Sequence, residues 1–167
     1  MIHRTVKSLP LCIALMALAA ALPLQAEAKT MKFKPSKFSE AVSGQESTRS
    51  PAWIGAPLAS SGAVFYSPVR LKPGEEITDM RIWYSSSGGT VQAFLNYVDD
   101  TDDPPDTVTM ATASTGGATA SPTEPVMLSV PLELGADPII RRGRKYYLVT
   151  VFGGGSVLWQ VNLSYNP

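Results

Sequence analysis

Histidine and cysteine are almost absent from this chain of 167 residues, which holds one of each, His3 and Cys12. Both lie before residue 29, in a segment that we expect to be removed. The chain beyond it has no imidazole or thiol. This excludes a Ser-His-Asp triad, a cysteine nucleophile, a disulfide and an ordinary zinc site. General acid–base catalysis would therefore depend on carboxylates, Lys or Tyr. No pattern in the sequence pairs two carboxylates across a cleft, as glycoside hydrolysis would require. We therefore predict a protein that is not an enzyme.

The first 28 residues have the three parts of a cleavable export signal. A basic start with Arg4 and Lys7 precedes the apolar run Leu11–Leu22. This run of about 12 residues is short for a bilayer, which needs roughly 20. Small residues at 26 and 28 favour cleavage after Ala28. We expect a secreted or periplasmic protein, with no stable membrane insertion once the signal is removed.

Charge is also sparse, since Asp, Glu, Lys and Arg make up 17% of the chain. Removing residues 1–28 takes away two of 14 basic and one of 14 acidic residues, which leaves a net charge of −1. A nearly neutral chain lacks the excess of positive charge that binds the phosphates of nucleic acid, so we expect no nucleic-acid partner.

Helical periodicity is missing, whereas Gly and Pro are plentiful at 13 and 14 residues. Apolar residues alternate with polar ones from Ala63 onward, which predicts short strands. We expect an all-β domain over 53–167, a single antiparallel β-sandwich of about seven to eight strands. A jelly roll and an immunoglobulin-like topology are both compatible with the pattern, and a closed barrel is possible. Residues 29–52 are polar and aperiodic, which predicts a flexible leader or a segment draped on the domain.

Two aromatic side chains stand on the polar faces of predicted strands. The strands Ile77–Ser85 and Val91–Val98 are expected to form a hairpin, which would bring Trp83 close to Phe94. Arg81, Gln92 and Asn96 would surround the two rings. A flat aromatic surface edged by polar groups can stack a sugar ring and bind its hydroxyls, so these five residues are the predicted ligand site. Cover by the leader, or a protein–protein patch, is the alternative.

The segment 99–106 carries five carboxylates in eight residues. Carboxylate oxygens are the ligands that Ca²⁺ prefers, so a calcium site is one hypothesis, although the spacing is not that of an EF-hand. The other hypothesis is a solvated turn stiffened by Pro104 and Pro105. The predicted calcium ligands are Asp99, Asp100, Asp102, Asp103 and Asp106.

Two further features are predicted to be structural. Trp159 shares the apolar register of the last strand with Val157, Val161, Leu163 and Tyr165, which predicts a core residue. A basic turn with three arginines and one lysine precedes another strand, and we interpret it as a solvated turn, with contact to an anionic polymer or a lipid headgroup as the alternative. Its cations are Arg141, Arg142, Arg144 and Lys145.

The sequence thus favours an exported, non-catalytic β-sandwich that serves as a structural or interaction domain of the envelope or the extracellular space. The alternative is a carbohydrate- or calcium-binding module, whose partner would be a glycan. For a structural or interaction domain, the expected partner is another envelope protein. No cofactor is expected apart from Ca²⁺ in the alternative.

Overall fold

A computed structural model describes residues 27–56, 62–100, 106–115 and 124–167. The described chain is all-β, as predicted, and it folds into two antiparallel sheets. Eight strands have five or more residues: β1 (Lys29–Phe33), β5 (Ala63–Val69), β6 (Glu76–Ser86), β7 (Val91–Asp99), β8 (Thr107–Ser114), β9 (Val126–Val130), β10 (Arg144–Phe152) and β11 (Ser156–Asn166). Three strands have two residues: β2 (Ser39–Glu40), β3 (Thr48–Arg49) and β4 (Ile54–Gly55). One 3-10 turn covers Pro35–Lys37.

The strand order identifies the topology. The first sheet has the order β3-β4-β11-β6-β9, and β1 pairs with β11 on the same side as β4. The second sheet has the order β2-β5-β10-β7-β8. The eight long strands thus form two four-stranded sheets, β1-β11-β6-β9 and β5-β10-β7-β8, which is the order of a jelly roll. Of the two predicted topologies, the structure has the jelly roll.

Alternation of side chains explains why the two sheets pack together. Every second residue of β5 and β10 is buried, and the inward side chains of both sheets form one hydrophobic core. Phe65 and Phe152 lie within it with their rings 5.6 Å apart in an edge-to-face arrangement. The side chains that alternate with the buried ones point to the outer faces of the two sheets.

Residues 29–52, for which the sequence predicts a flexible polar leader or a segment draped on the domain, contribute three strands to the two sheets. β1 lies antiparallel to β11 over five residue pairs, and β2 pairs with β5. Phe33 and Phe38 are 4% and 3% exposed and belong to the core. These two widely spaced apolar side chains anchor the segment in the core. The sequence did not predict this because the segment has no regular apolar periodicity.

The predicted hairpin of β6 and β7 does not form. β6 lies in the first sheet between β11 and β9, whereas β7 lies in the second between β10 and β8. Each of the two strands has one apolar face. The core between the sheets buries the apolar face of β6 from one side and that of β7 from the other. Apolar alternation fixes which face is buried but not which strand is the neighbour.

No helix among the described residues is long and apolar enough to cross a membrane. Residues 1–26, which include most of the predicted export signal, lie outside the described residues.

Candidate functional site

An irregularity in the last strand places Trp159 outside the core, contrary to the prediction. The register of β11 against β6 shifts between Leu158 and Gln160, so that Trp159 is the extra residue of a β-bulge. Leu158 and Val161 on either side of the bulge are buried in the core, and Trp159 is half-buried. The bulge therefore moves Trp159 from the inward set to the outer face of the first sheet.

Trp83 lies on the same outer face. It follows the inward Ile82 and pairs with Gln160 of β11 and Met127 of β9. The indole Nε1 of Trp159 donates a hydrogen bond of 3.0 Å to the hydroxyl of Ser85, two residues along β6 and on the same face as Trp83. This hydrogen bond holds Trp159 against β6, on the outer face that also carries Trp83.

The two indoles line a cleft of about 390 Å³, which we name the tryptophan cleft. Trp83, Trp159 and Gln160 line it from the first sheet. The preceding and connecting segments contribute Lys34, Pro35, Pro51, Ala52 and Pro125. The cleft is open to solvent and combines large aromatic surfaces with one amide and one ammonium group. No carboxylate of the described residues lines it.

Polar side chains continue from the tryptophan cleft along the outer face. The amide of Gln160 donates a hydrogen bond of 2.6 Å to the side-chain oxygen of Asn162. Asn162 is in register with Arg81 on one side and with Lys32 on the other. Arg81 is bound to Asp79 at 2.7 Å, which orients its guanidinium. The face thus offers hydrogen-bonding groups beside the tryptophans.

The five residues of the predicted ligand site do not come together. Trp83 and Arg81 are on the outer face of the first sheet, whereas Phe94, Gln92 and Asn96 belong to β7 of the second. The hairpin that would have joined them is absent. Phe94 remains half-buried, in register with Val149 and Thr112.

Asn96 is less available for a ligand than the sequence predicts. Its side chain is 8% exposed and lies where the register of β7 against β8 shifts. The side-chain oxygen has no hydrogen-bond partner among the described residues. Burial inside the second sheet explains why Asn96 does not extend the outer polar face.

Three of the five predicted calcium ligands are described, and two of these are engaged with cations. Asp99 lies 3.2 Å from Arg144, and Asp100 lies 3.0 Å from Lys145. Within the described residues, no three acidic, His or Cys side chains are grouped so as to hold a metal ion. Asp102 and Asp103 lie outside the described residues, and calcium binding stays a prediction.

The basic turn borders the larger cleft of about 630 Å³. Three of its four cations are neutralised. Arg141 binds Asp137 at 2.6 Å, Arg144 binds Asp99 and Asp137, and Lys145 binds Asp100. Because carboxylates already pair with most of these cations, the cleft attracts an anion less strongly than the four basic residues in its sequence indicate. The tryptophan cleft, although smaller, has the more distinctive chemistry.

Asp137 organises this turn and gives a prediction for its acid stability. The hydrogen bond from Arg141 and that from the Ile139 backbone N–H lower the pKa of Asp137 below its ordinary 3.8, against the opposing effect of burial. A carboxyl whose pKa is lowered by folding stabilises the protein above the unfolded pKa, and that stability is lost as the pH falls through the folded pKa.

Replacing Asp137 with Asn is therefore expected to lower the free energy of unfolding at about pH 7 by up to about 1 kcal/mol, the usual range for exposed pairs. The difference from the unmodified protein should shrink as the pH falls through the folded-state pKa of Asp137, because protonation removes the charge that distinguishes Asp from Asn. Urea unfolding over a series of falling pH values measures it. A difference of constant size over the series would show that the charge of Asp137 is not what stabilises the turn.

The strand order defines the class of fold, a jelly-roll β-sandwich, and the tryptophan cleft lies on the outer face of its first sheet. By sequence, no protein-family model and no curated protein matches this chain. By structure, the matches include carbohydrate-binding modules.

Two solved structures illustrate this similarity. The C-terminal CBM6 module of LamC, a marine laminarinase from Zobellia galactanivorans, matches with a TM-score of 0.50 and 11% identity over 81% of this chain and 98% of its own. The xylan-binding module CBM15 matches with a TM-score of 0.52 and 11% identity over 83% of this chain and 97% of its own. At such low identity, the similarity shows a shared β-sandwich fold.

Proposed function

We propose that this chain is an exported, non-catalytic carbohydrate-binding module, and that its glycan binds in the tryptophan cleft. The observation that carries the proposal is the β-bulge, because it brings Trp159 onto the face that already holds Trp83. The fold shared with carbohydrate-binding modules supports this assignment.

The chemistry of the cleft suits a sugar ring. A pyranose has apolar C–H faces and a rim of hydroxyls, so it pairs with an aromatic surface that is edged by hydrogen-bonding groups. Trp83 and Trp159 supply the aromatic surface, while Gln160 and Lys34 supply polar contacts in the same cleft. The neighbouring Asn162 extends these contacts along the sheet.

A hydrolytic role has less support. Glycoside hydrolysis generally uses two carboxyl groups placed on either side of the scissile bond. No described carboxylate lines the tryptophan cleft, and the segment after residue 28 has no His or Cys. A protein that holds a glycan without cleaving it is the simpler account.

The proposal is tested by a binding screen against soluble β-glucans, xylan, mannan and acidic polysaccharides, followed by calorimetry on the tightest ligand. Trp83→Ala and Trp159→Ala should each raise its dissociation constant at least about tenfold, because truncating a central aromatic contact costs more than about 1.4 kcal/mol. The three tryptophans of the chain allow binding to be followed by fluorescence as well.

Phe94→Ala is the matched control. It removes an aromatic ring of similar exposure from the outer face of the opposite sheet. We expect it to leave the affinity unchanged. Failure of every glycan in the screen to bind would contradict the proposed function, and loss of affinity in Phe94→Ala alone would move the site to the second sheet.

A further inference from the structure

A third cleft, of about 390 Å³, lies where both sheets have an open edge. β1 is the outermost strand on its side of the first sheet, since it pairs with β11 alone among the described strands. In β5, residues Ser67–Val69 pair with β10 only, because β2 begins at Ser39, opposite Tyr66. Met31 and Phe33 line the cleft from β1, and Ser67 and Pro68 line it from β5.

The remaining three residues that line this third cleft are cations: Lys32, Lys37 and Arg70. All three are exposed, and none forms an ion pair with a carboxylate of the described residues. We name this cleft the basic groove. It differs from the basic turn, where three of four cations are already paired. Since the chain from residue 29 onward has a net charge of −1, the groove is a local excess of positive charge.

The basic groove and the tryptophan cleft take residues from the same segment of chain, 31–37. Lys34 and Pro35 line the tryptophan cleft, while Lys32 and Lys37, two residues away on either side of this pair, line the groove. The extended chain from Lys32 to Lys34 spans roughly 7 Å, which is comparable to one sugar residue, and Lys37 is the last residue of the 3-10 turn that follows. A polysaccharide that lies on the tryptophans therefore has a short path across β1 to the three cations.

We propose that the glycan bound by this protein is acidic, and that the basic groove binds the carboxylate or sulfate groups of the sugars beyond the tryptophan cleft. This inference rests on the proposed function. Lysine and arginine recognise such anions through charge-assisted hydrogen bonds, which are stronger than those between neutral groups. The tryptophans supply contacts that any sugar ring can make, and the groove supplies the selection for charge.

Polygalacturonate and its methyl ester test the inference, because they share a backbone and differ in charge. Polygalacturonate should bind at least about tenfold more tightly than the ester, the sum of three exposed ion pairs of ordinary strength. The preference should shrink at high salt, which screens exposed charges. Sulfated dextran against dextran distinguishes sulfate from carboxylate: a preference in either pair supports the proposal and identifies the anion.

The triple variant Lys32→Gln, Lys37→Gln and Arg70→Gln should remove the preference for the charged polymer. The control variant Lys72→Gln, Arg142→Gln and Lys145→Gln changes the net charge equally, at exposed residues outside the groove. It should keep the preference. Melting temperatures show that both variants fold.

The possible failures are distinguishable. Equal affinity for charged and neutral polymers, both weakened by Trp83→Ala, would overturn the acidic-glycan inference and leave the proposed function standing. Binding to neither polymer, nor to any glycan of the screen, would overturn both. Binding of the groove to vesicles of equal parts phosphatidylcholine and phosphatidylglycerol, without binding to acidic glycans, would replace the glycan with a lipid surface.

Discussion

Truncation of Phe65 to alanine is expected to lower the free energy of unfolding by about 3–5 kcal/mol. The side chain is fully buried between the two sheets, and its ring packs edge-to-face on Phe152 at 5.6 Å. The guanidinium of Arg49 also lies over its ring, 5.2 Å from the centroid, so the loss includes a cation–π contact. Urea unfolding at neutral pH measures the change.

Phe94→Ala is again the control, because it removes the same side chain from the outer face of the same sheet. We expect it to cost only about 1 kcal/mol, the typical value for a substitution that leaves no core cavity. Similar losses for the two variants would mean that Phe65 is not at the centre of the core, and the described packing of the sheets would then be incorrect.

Gly55→Ala is expected to destabilise the protein by about 1–3 kcal/mol or more, although only a methyl group is added. A Cβ at residue 55 would overlap the carbonyl oxygen of Ser156 and would lie 2.7 Å from Cγ1 of Val157. β4 must therefore move away from β11. Because Pro51 and Ala52, just before β4, line the tryptophan cleft, we expect weaker glycan binding too. Denaturant unfolding and calorimetry measure the two effects.

The double variant Gly55→Ala with Val157→Ala separates the two clashes. Val157→Ala relieves the contact with the side chain but not the closer contact with the backbone oxygen of Ser156. We expect no recovery of stability in the double variant. Full recovery would show that the backbone can adjust and that close approach of β4 and β11 is not required.

The sequence was informative where a strand has a regular alternation and few alternatives. β5 and β7 begin at Ala63 and Val91, the positions predicted from their apolar residues. The pairing of β6 with β7 was wrong because the core of a sandwich buries apolar faces from both sheets, and neighbours along the chain need not share a sheet. β1 was missed because Met31 and Phe33 alone carry its apolar pattern, between exposed lysines.

The candidate site was only half visible in the sequence. Trp83 was singled out because it interrupts the polar face of an otherwise regular strand. Trp159 was placed in the core because strict alternation continues through it in the sequence, and a bulge leaves no clear local signal. The partner strand offers one retrospective indication: Ser85, a polar residue that is fully buried, accepts the hydrogen bond of the Trp159 indole.

The most direct test of the tryptophan cleft is a nuclear magnetic resonance titration of the three indole N–H groups, of Trp53, Trp83 and Trp159, with the tightest glycan of the screen. Single Trp→Phe variants assign the three signals. We predict that the signals of Trp83 and Trp159 shift with the same dissociation constant as calorimetry gives, while that of Trp53, outside the cleft, changes least. Saturating glycan that leaves the signals of Trp83 and Trp159 in place, and shifts backbone amides of β7 instead, would contradict the account.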